Sequence, residues 1–72
     1  MNEKVKAFWS GYGRTCFHNA QEVADRARVT LEEAEEGIAE LLEIGAIKTS
    51  GSWLGLPAYR HSHGHDFWKA EA

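Results

Sequence analysis

A single cysteine, Cys16, and a single proline, Pro57, in 72 residues exclude several kinds of protein at once. One thiol cannot close an intrachain disulfide, so packing alone must hold the fold, and a reducing cytoplasm is the expected compartment. No apolar run approaches the ~20 residues that a membrane helix needs. The opening residues, MNEKVKAFWSGYGR, have no long apolar stretch of the secretory kind. Repeats and low-complexity tracts are absent. So are a glycine-rich phosphate loop, a nucleophile elbow and a pair of carboxylates set for acid–base work, and a chain this short leaves little room for a substrate pocket. A non-enzymatic protein without a cofactor is therefore expected. Basic charge is also scarce: eight Lys and Arg stand against eleven Asp and Glu, for a net charge of -3. A dedicated DNA binder more often carries a basic excess, because phosphate neutralisation supplies most non-specific affinity. Between residues 29 and 47 there is no Lys or Arg at all.

What that stretch does contain is a strongly patterned helix, expected over residues 30–44. Leu31, Ala34, Ile38, Leu41 and Leu42 recur at helical spacing and form one apolar stripe. Thr30 followed by Glu33 is a capping box, in which hydroxyl and carboxylate each take a backbone N–H. Glu32, Glu33, Glu35 and Glu36 crowd the first turns, where the helix dipole favours negative charge. Gly45 stands where a left-handed residue ends a helix without a Cβ penalty. Gly37 costs about 1 kcal/mol against alanine, and close packing of a neighbouring helix is the expected reason for it.

Two further helices precede this one. Residues 2–12 can be capped by Asn2, and Val5, Phe8, Trp9 and Tyr12 share one face, expected to be core. Gly11 and Gly13 break that helix, and residues 14–18 read as a connector in which Cys16 is a small buried residue. Residues 19–28 open on Asn19 with Glu22 three positions on, and turn Val23, Ala24 and Ala27 inward. Val29 is expected to plug the tight link into the acidic helix. A wing follows over residues 46–63: a strand at 46–49, turn chemistry at Ser50-Gly51-Ser52, and a returning strand near 58–63. Pro57 belongs at an edge or in the loop, because it cannot donate to a ladder. Residues 64–72 form a tail whose Phe67 and Trp68 either fold back on the first helix or stand exposed.

Helix, helix, short turn, helix and hairpin is the order of the winged helix-turn-helix superfamily. AQEVADRA at 20–27 resembles its second helix. Thr30, Ala34 and Ile38, with LLEIGAI at 41–47, look like its third helix and the entry to its wing. The pattern is similar to that of bacterial regulators of the multiple-antibiotic-resistance type, archaeal replicative helicase termini and phage replication proteins. The resemblance implies a mainly α, three-helix winged helix-turn-helix domain with a small β-hairpin, spanning residues 1–72. It also implies a prokaryotic or phage role in transcription regulation or DNA transactions.

In DNA-binding members the third helix enters the major groove with cations or amides outward. Here its outward stripe is Glu32, Glu36, Glu40 and Glu43. Carboxylates beside phosphates repel by about 1 kcal/mol per close pair in water. The stripe is therefore read either as a solvated face or as a surface that docks on a basic protein of the DNA-transaction machinery. Alternatively, Arg14, Arg26, Arg28, Lys48 and Arg60 grip the phosphates of duplex DNA, in a protein that can form a homodimer through its terminal aromatics. Arg26 and Arg28 can instead pair with Glu22 or Glu32. Trp53 serves as a wedge or stacking platform, or else covers the core. His61, His63 and His65 alternate as strand neighbours do, so three imidazoles on one face are a possible metal set, although Gly64 interrupts them. No metal is assigned to them, and no membrane partner is expected.

Overall fold

The computed structural model of the chain describes residues 2–69. Its elements are α1 (Glu3–Ser10), a 3-10 turn (Tyr12–Arg14), β1 (Phe17–Asn19), α2 (Ala20–Ala27), α3 (Leu31–Glu43), β2 (Ile47–Trp53), β3 (Leu56–His61) and α4 (Asp66–Lys69). The strands form one antiparallel sheet in the order β1-β3-β2. The fold is thus mixed, helix-rich with a small sheet, and among the described residues no helix is long and apolar enough to cross a membrane.

Asn2 caps α1 by accepting from the backbone N–H groups of Lys4 and Val5. The helix stops at Ser10, two residues short of expectation. Gly11 leaves the helical conformation, and the chain tightens into the 3-10 turn. That turn brings Gly13 under the aromatic pair: a Cβ there would lie 2.9 Å from ring carbons of both Phe8 and Trp9. It also takes Tyr12 off the core stripe. Val5, Phe8 and Trp9 are buried, whereas Tyr12 is 54% exposed.

The expected connector at 14–18 ends in a strand instead. β1 is three residues long, too short to display alternation, and pairing with β3 fixes it: Phe17 faces Arg60, His18 faces Tyr59 and Asn19 faces Ala58. Asn19 then caps α2, accepting from Glu22 N–H at 2.8 Å. Arg28 closes α2 in the left-handed conformation (φ 59), and half-buried Val29 leads into Thr30.

Both ends of α3 follow local chemistry. Thr30 Oγ1 accepts from Glu33 N–H, and Glu33 Oε1 accepts from Thr30 N–H, each at 3.0 Å. These hydrogen bonds to Thr30 hold the Glu33 carboxyl below its usual range. At the other end, Gly45 (φ +81) donates to Leu42 O and Ala46 donates to Leu41 O. This double bond pattern closes the helix as a Schellman motif. Ala34, Ile38 and Leu41 are buried and Leu42 is half-buried, but Leu31 is 43% exposed. It sits in the first turn, clear of the neighbouring helices' core residues.

Gly37 is where α1 crosses α3. A Cβ there would lie 2.8 Å from Val5 Cγ1 and 3.0 Å from Val5 Cβ, and Val5 is fully buried. Gly37→Ala should gain about 1 kcal/mol of helix propensity and lose about 1–3 kcal/mol to overpacking. The expected net result is a lower urea midpoint. Val5→Ala should restore part of the loss in the double variant, because it removes the clashing methyls.

The hairpin departs from expectation at its tip. Ser50-Gly51-Ser52 does not turn the chain. It forms a bulge: Thr49 pairs with Tyr59 and Ser52 with Pro57, so β2 carries one residue more than β3. Gly51 (φ +67) meets the bulge's need for a left-handed residue, and so looks like turn chemistry in sequence. The actual turn is Leu54-Gly55, both left-handed at φ 54 and 81. Pro57 lies on β3 past Ala58, where β1 pairing ends, so only β2 flanks it there. Leucine is a poor choice for that turn, which favours Asn-Gly. Leu54→Asn should raise the thermal midpoint, by about 0.5–1 kcal/mol in stability, since Leu54 is 80% exposed and loses little contact.

The tail resolves in favour of folding back. Trp68 is buried, and its Nε1 donates to Ala46 O at 2.8 Å. Phe67 is half-buried against the core, with the Lys6 ammonium of α1 4.8 Å from its ring centre. Residues 70–72 of the expected tail lie outside the described residues. Trp68 joins Val5, Phe8, Trp9, Val23, Ile38, Leu41 and Ile47 in one core.

Candidate functional site

The two faces of the sheet have opposite characters. Strand alternation and register put His18, Ile47 and His61 on the helix side, where all three are buried. The other side carries Phe17 from β1, Leu56, Ala58 and Arg60 from β3, and Lys48 and Trp53 from β2. Lys48 and Trp53 are five positions apart, so a regular strand would put them on opposite faces. The bulge restores the phase, and Trp53 shares the face of Lys48 and Arg60.

Phe17 and Trp53 meet edge to face across this side, with ring centres 5.5 Å apart. Ala58, on the strand between them, is fully buried, while the two rings remain 42% and 43% exposed. Trp53 is not part of the main core. Asn19 Nδ2 donates to Trp53 O at 2.9 Å, tying the hairpin to β1. Arg60 is flanked by Phe17 on one strand and directly opposed by Lys48 on the other. Like charges directly opposite destabilise a ladder, and both side chains are exposed.

Three surface clefts share these aromatics as walls. A cationic cleft of about 270 Å³ is bounded by Arg14, Thr15, Phe17, Arg60 and His63. Phe17 separates it from a smaller recess of about 180 Å³ that reaches Tyr12 and Trp53. Trp53 separates the recess from a larger cleft of about 540 Å³, enclosed by Leu54, Leu56 and the α2 residues Gln21, Asp25 and Arg26. The result is one groove with two aromatic ridges. Cys16, expected to be buried, is exposed on its wall.

The five expected cations thus divide. Arg14, Lys48 and Arg60 gather at the sheet, and none of them joins the ion pairs of the described residues. Arg26 is held elsewhere: its Nε lies 3.5 Å from Glu22 Oε2, and its guanidinium stacks 4.1 Å from the Tyr12 ring centre. Arg28 stays at the α2–α3 turn. Behind Tyr12 sits His18, buried among the rings of Phe8, Trp9 and Tyr12 at 5.1–5.7 Å. Its Nδ1 is 3.0 Å from Glu22 Oε2 but out of line for a hydrogen bond.

The three alternating histidines do not make a metal set. Among the described residues no group of three or more His, Cys, Asp or Glu can hold one ion. His61 is buried with its ring stacked on Trp68 at 4.4 Å, and His63 lies 4.6 Å from it. His65 belongs to the tail, where its Nδ1 accepts from Phe67 N–H at 3.0 Å. Burial, reinforced by His63 and Arg14, lowers the His61 pKa to about 4.

Glu32, Glu36, Glu40 and Glu43 are all exposed along α3, with Glu33 and Glu35 beside them. Phe17 is the candidate site residue that the sequence leaves unmarked. Its only signal was position, an aromatic two places before a helix cap, and its strand is visible only through pairing with β3. No protein-family model matches the chain, and no curated protein matches it in sequence.

Proposed function

We propose that the chain is a non-enzymatic winged-helix adaptor in DNA transactions, which contacts nucleic acid through its sheet and offers its acidic third helix to a basic protein. The order α1-β1-α2-α3-β2-β3, with a three-residue link between α2 and α3 and a hairpin after them, supports the winged-helix assignment. The observation that carries the functional reading is charge segregation. α3 has six glutamates and no cation, while Arg14, Lys48 and Arg60 collect beside two exposed aromatics on the sheet. Carboxylates along a recognition helix repel phosphate, so the backbone contact moves to the cationic face of the sheet, and α3 is left for a partner of opposite charge.

The test is titration of the intact protein against labelled DNA at low and moderate salt. Three phosphate contacts should give a log–log salt slope of about -2 to -3. Arg14, Lys48 and Arg60 changed together to Gln should abolish binding, whereas Arg28→Gln should change it little. Glu32, Glu36 and Glu43 changed to Gln should leave it equal or tighter. Weaker binding after those Glu changes would mean that α3 itself reads bases. No binding at the lowest salt would remove the nucleic-acid role.

A further inference from the structure

Within that reading, we infer that the groove across the sheet binds single-stranded DNA, stacking unpaired bases on Phe17 and Trp53 while the backbone follows Arg14, Arg60 and Lys48. The aromatics are the first argument. A duplex hides base faces inside its own stack, so an exposed aromatic ring gains most from a base that is already unstacked. Here two such rings stand as ridges between three consecutive clefts, which gives successive bases separate places to enter.

Charge places the backbone. Phosphates favour the end walled by Arg14 and Arg60, where Lys48 opposes Arg60 and the like-charged pair is relieved by an anion. In the far cleft Arg26 is already engaged by Glu22 and Tyr12, which leaves the Asp25 carboxylate uncompensated against a phosphate, so that cleft takes a base. Its polar groups suit a base edge: Gln21 Nε2 already donates to Asp25 Oδ1 at 3.1 Å, leaving an amide oxygen and a second carboxylate oxygen to pair.

The choice of DNA rests on the proposed role in DNA transactions, because the groove holds acceptors that a ribose 2′-hydroxyl can reach: the Thr15 hydroxyl in the cationic cleft and the Gln21 and Asp25 oxygens in the far one. Comparing oligothymidylate with oligouridylate decides between the two sugars.

The chain carries its own reporter. Trp9 and Trp68 are buried and Trp53 is exposed, so quenching of tryptophan emission reads Trp53. Oligothymidylate should quench the full chain with a marked salt dependence and bind about ten-fold or more tighter than a duplex of equal length. Trp53→Leu and Trp53→Phe lack the reporter, so their affinities are read from the anisotropy of labelled oligothymidylate: Trp53→Leu should weaken binding about ten-fold or more, with Trp53→Phe restoring most of it. Circular dichroism of each variant confirms that it is folded. Duplex binding equal to or tighter than single-strand binding would overturn the inference and leave the proposed function standing. Absence of binding to either would overturn both. Oligouridylate bound as tightly as oligothymidylate would overturn the assignment to DNA. A Trp53-dependent dimer in sedimentation, dispersed by Trp53→Leu, would assign the groove to a second copy of the chain instead.

Discussion

Trp68→Ala is expected to leave little or no folded protein at room temperature. Truncating a buried tryptophan costs about 3–5 kcal/mol, and a chain of this size rarely holds more than about 3–5 kcal/mol in total. Three losses coincide in this case. The indole fills the core beside the α3–β2 junction. Its Nε1 is the donor to Ala46 O, just past the Schellman turn that ends α3. Its face also covers His61 at 4.4 Å. Urea unfolding followed by circular dichroism measures the effect, and Trp68→Phe should recover the packing but not the hydrogen bond. A midpoint unchanged by Trp68→Ala would mean that the tail does not dock.

The second large effect is acid lability above the range where carboxylates titrate. His61 is neutral in the fold, with a pKa lowered to about 4 from 6.5 by burial first, then by His63 and Arg14. The unfolded chain takes the proton more readily than the folded one, so protonation favours unfolding. Stability should be complete above pH 6.5, fall as pH drops below that value and level off near 4. The loss contributed by this one side chain is up to about 3 kcal/mol. His61→Phe keeps a ring on Trp68 and should flatten the curve across that window. The Glu33 contribution has the opposite origin, a lowered carboxyl pKa, and is lost only at more acid pH. A His61→Phe curve that stays as steep as the parent's would assign the acid loss to other groups.

These two predictions concern a region that the sequence leaves open, and the reason is physical. The ends of α3 are written within a few residues of themselves, as Thr30-x-x-Glu33 and as Gly45 after an apolar stripe, and they are found where expected. Gly37 is also legible, because a helical glycine needs a nearby neighbour to explain it. The tail is different. Whether Trp68 is buried depends on Ala46 presenting a carbonyl and on His61 presenting a face, both set by elements distant in sequence. β1 is invisible for the same cause, since only pairing with β3 makes three residues a strand. The sites divide likewise. Charge along α3 can be counted from the chain, whereas Arg26 cannot be separated from Arg14 and Arg60 until Tyr12 and Glu22 are seen to hold it. Trp53 is apparent as an aromatic near a turn. Its exposure and its partner Phe17 follow from the phase of two strands.

The extra residue in β2 sits where the chain tolerates a change of length. Removing Ser50 or Gly51 would leave Thr49 opposite Tyr59, Ser52 opposite Pro57 and Trp53 opposite Leu56, so the indole would keep its side of the sheet. What the bulge adds is local right-handed twist. It therefore tunes how the outer half of the hairpin, and the Trp53 ring with it, leans toward Phe17, while the face that the ring occupies is set by the pairing on either side.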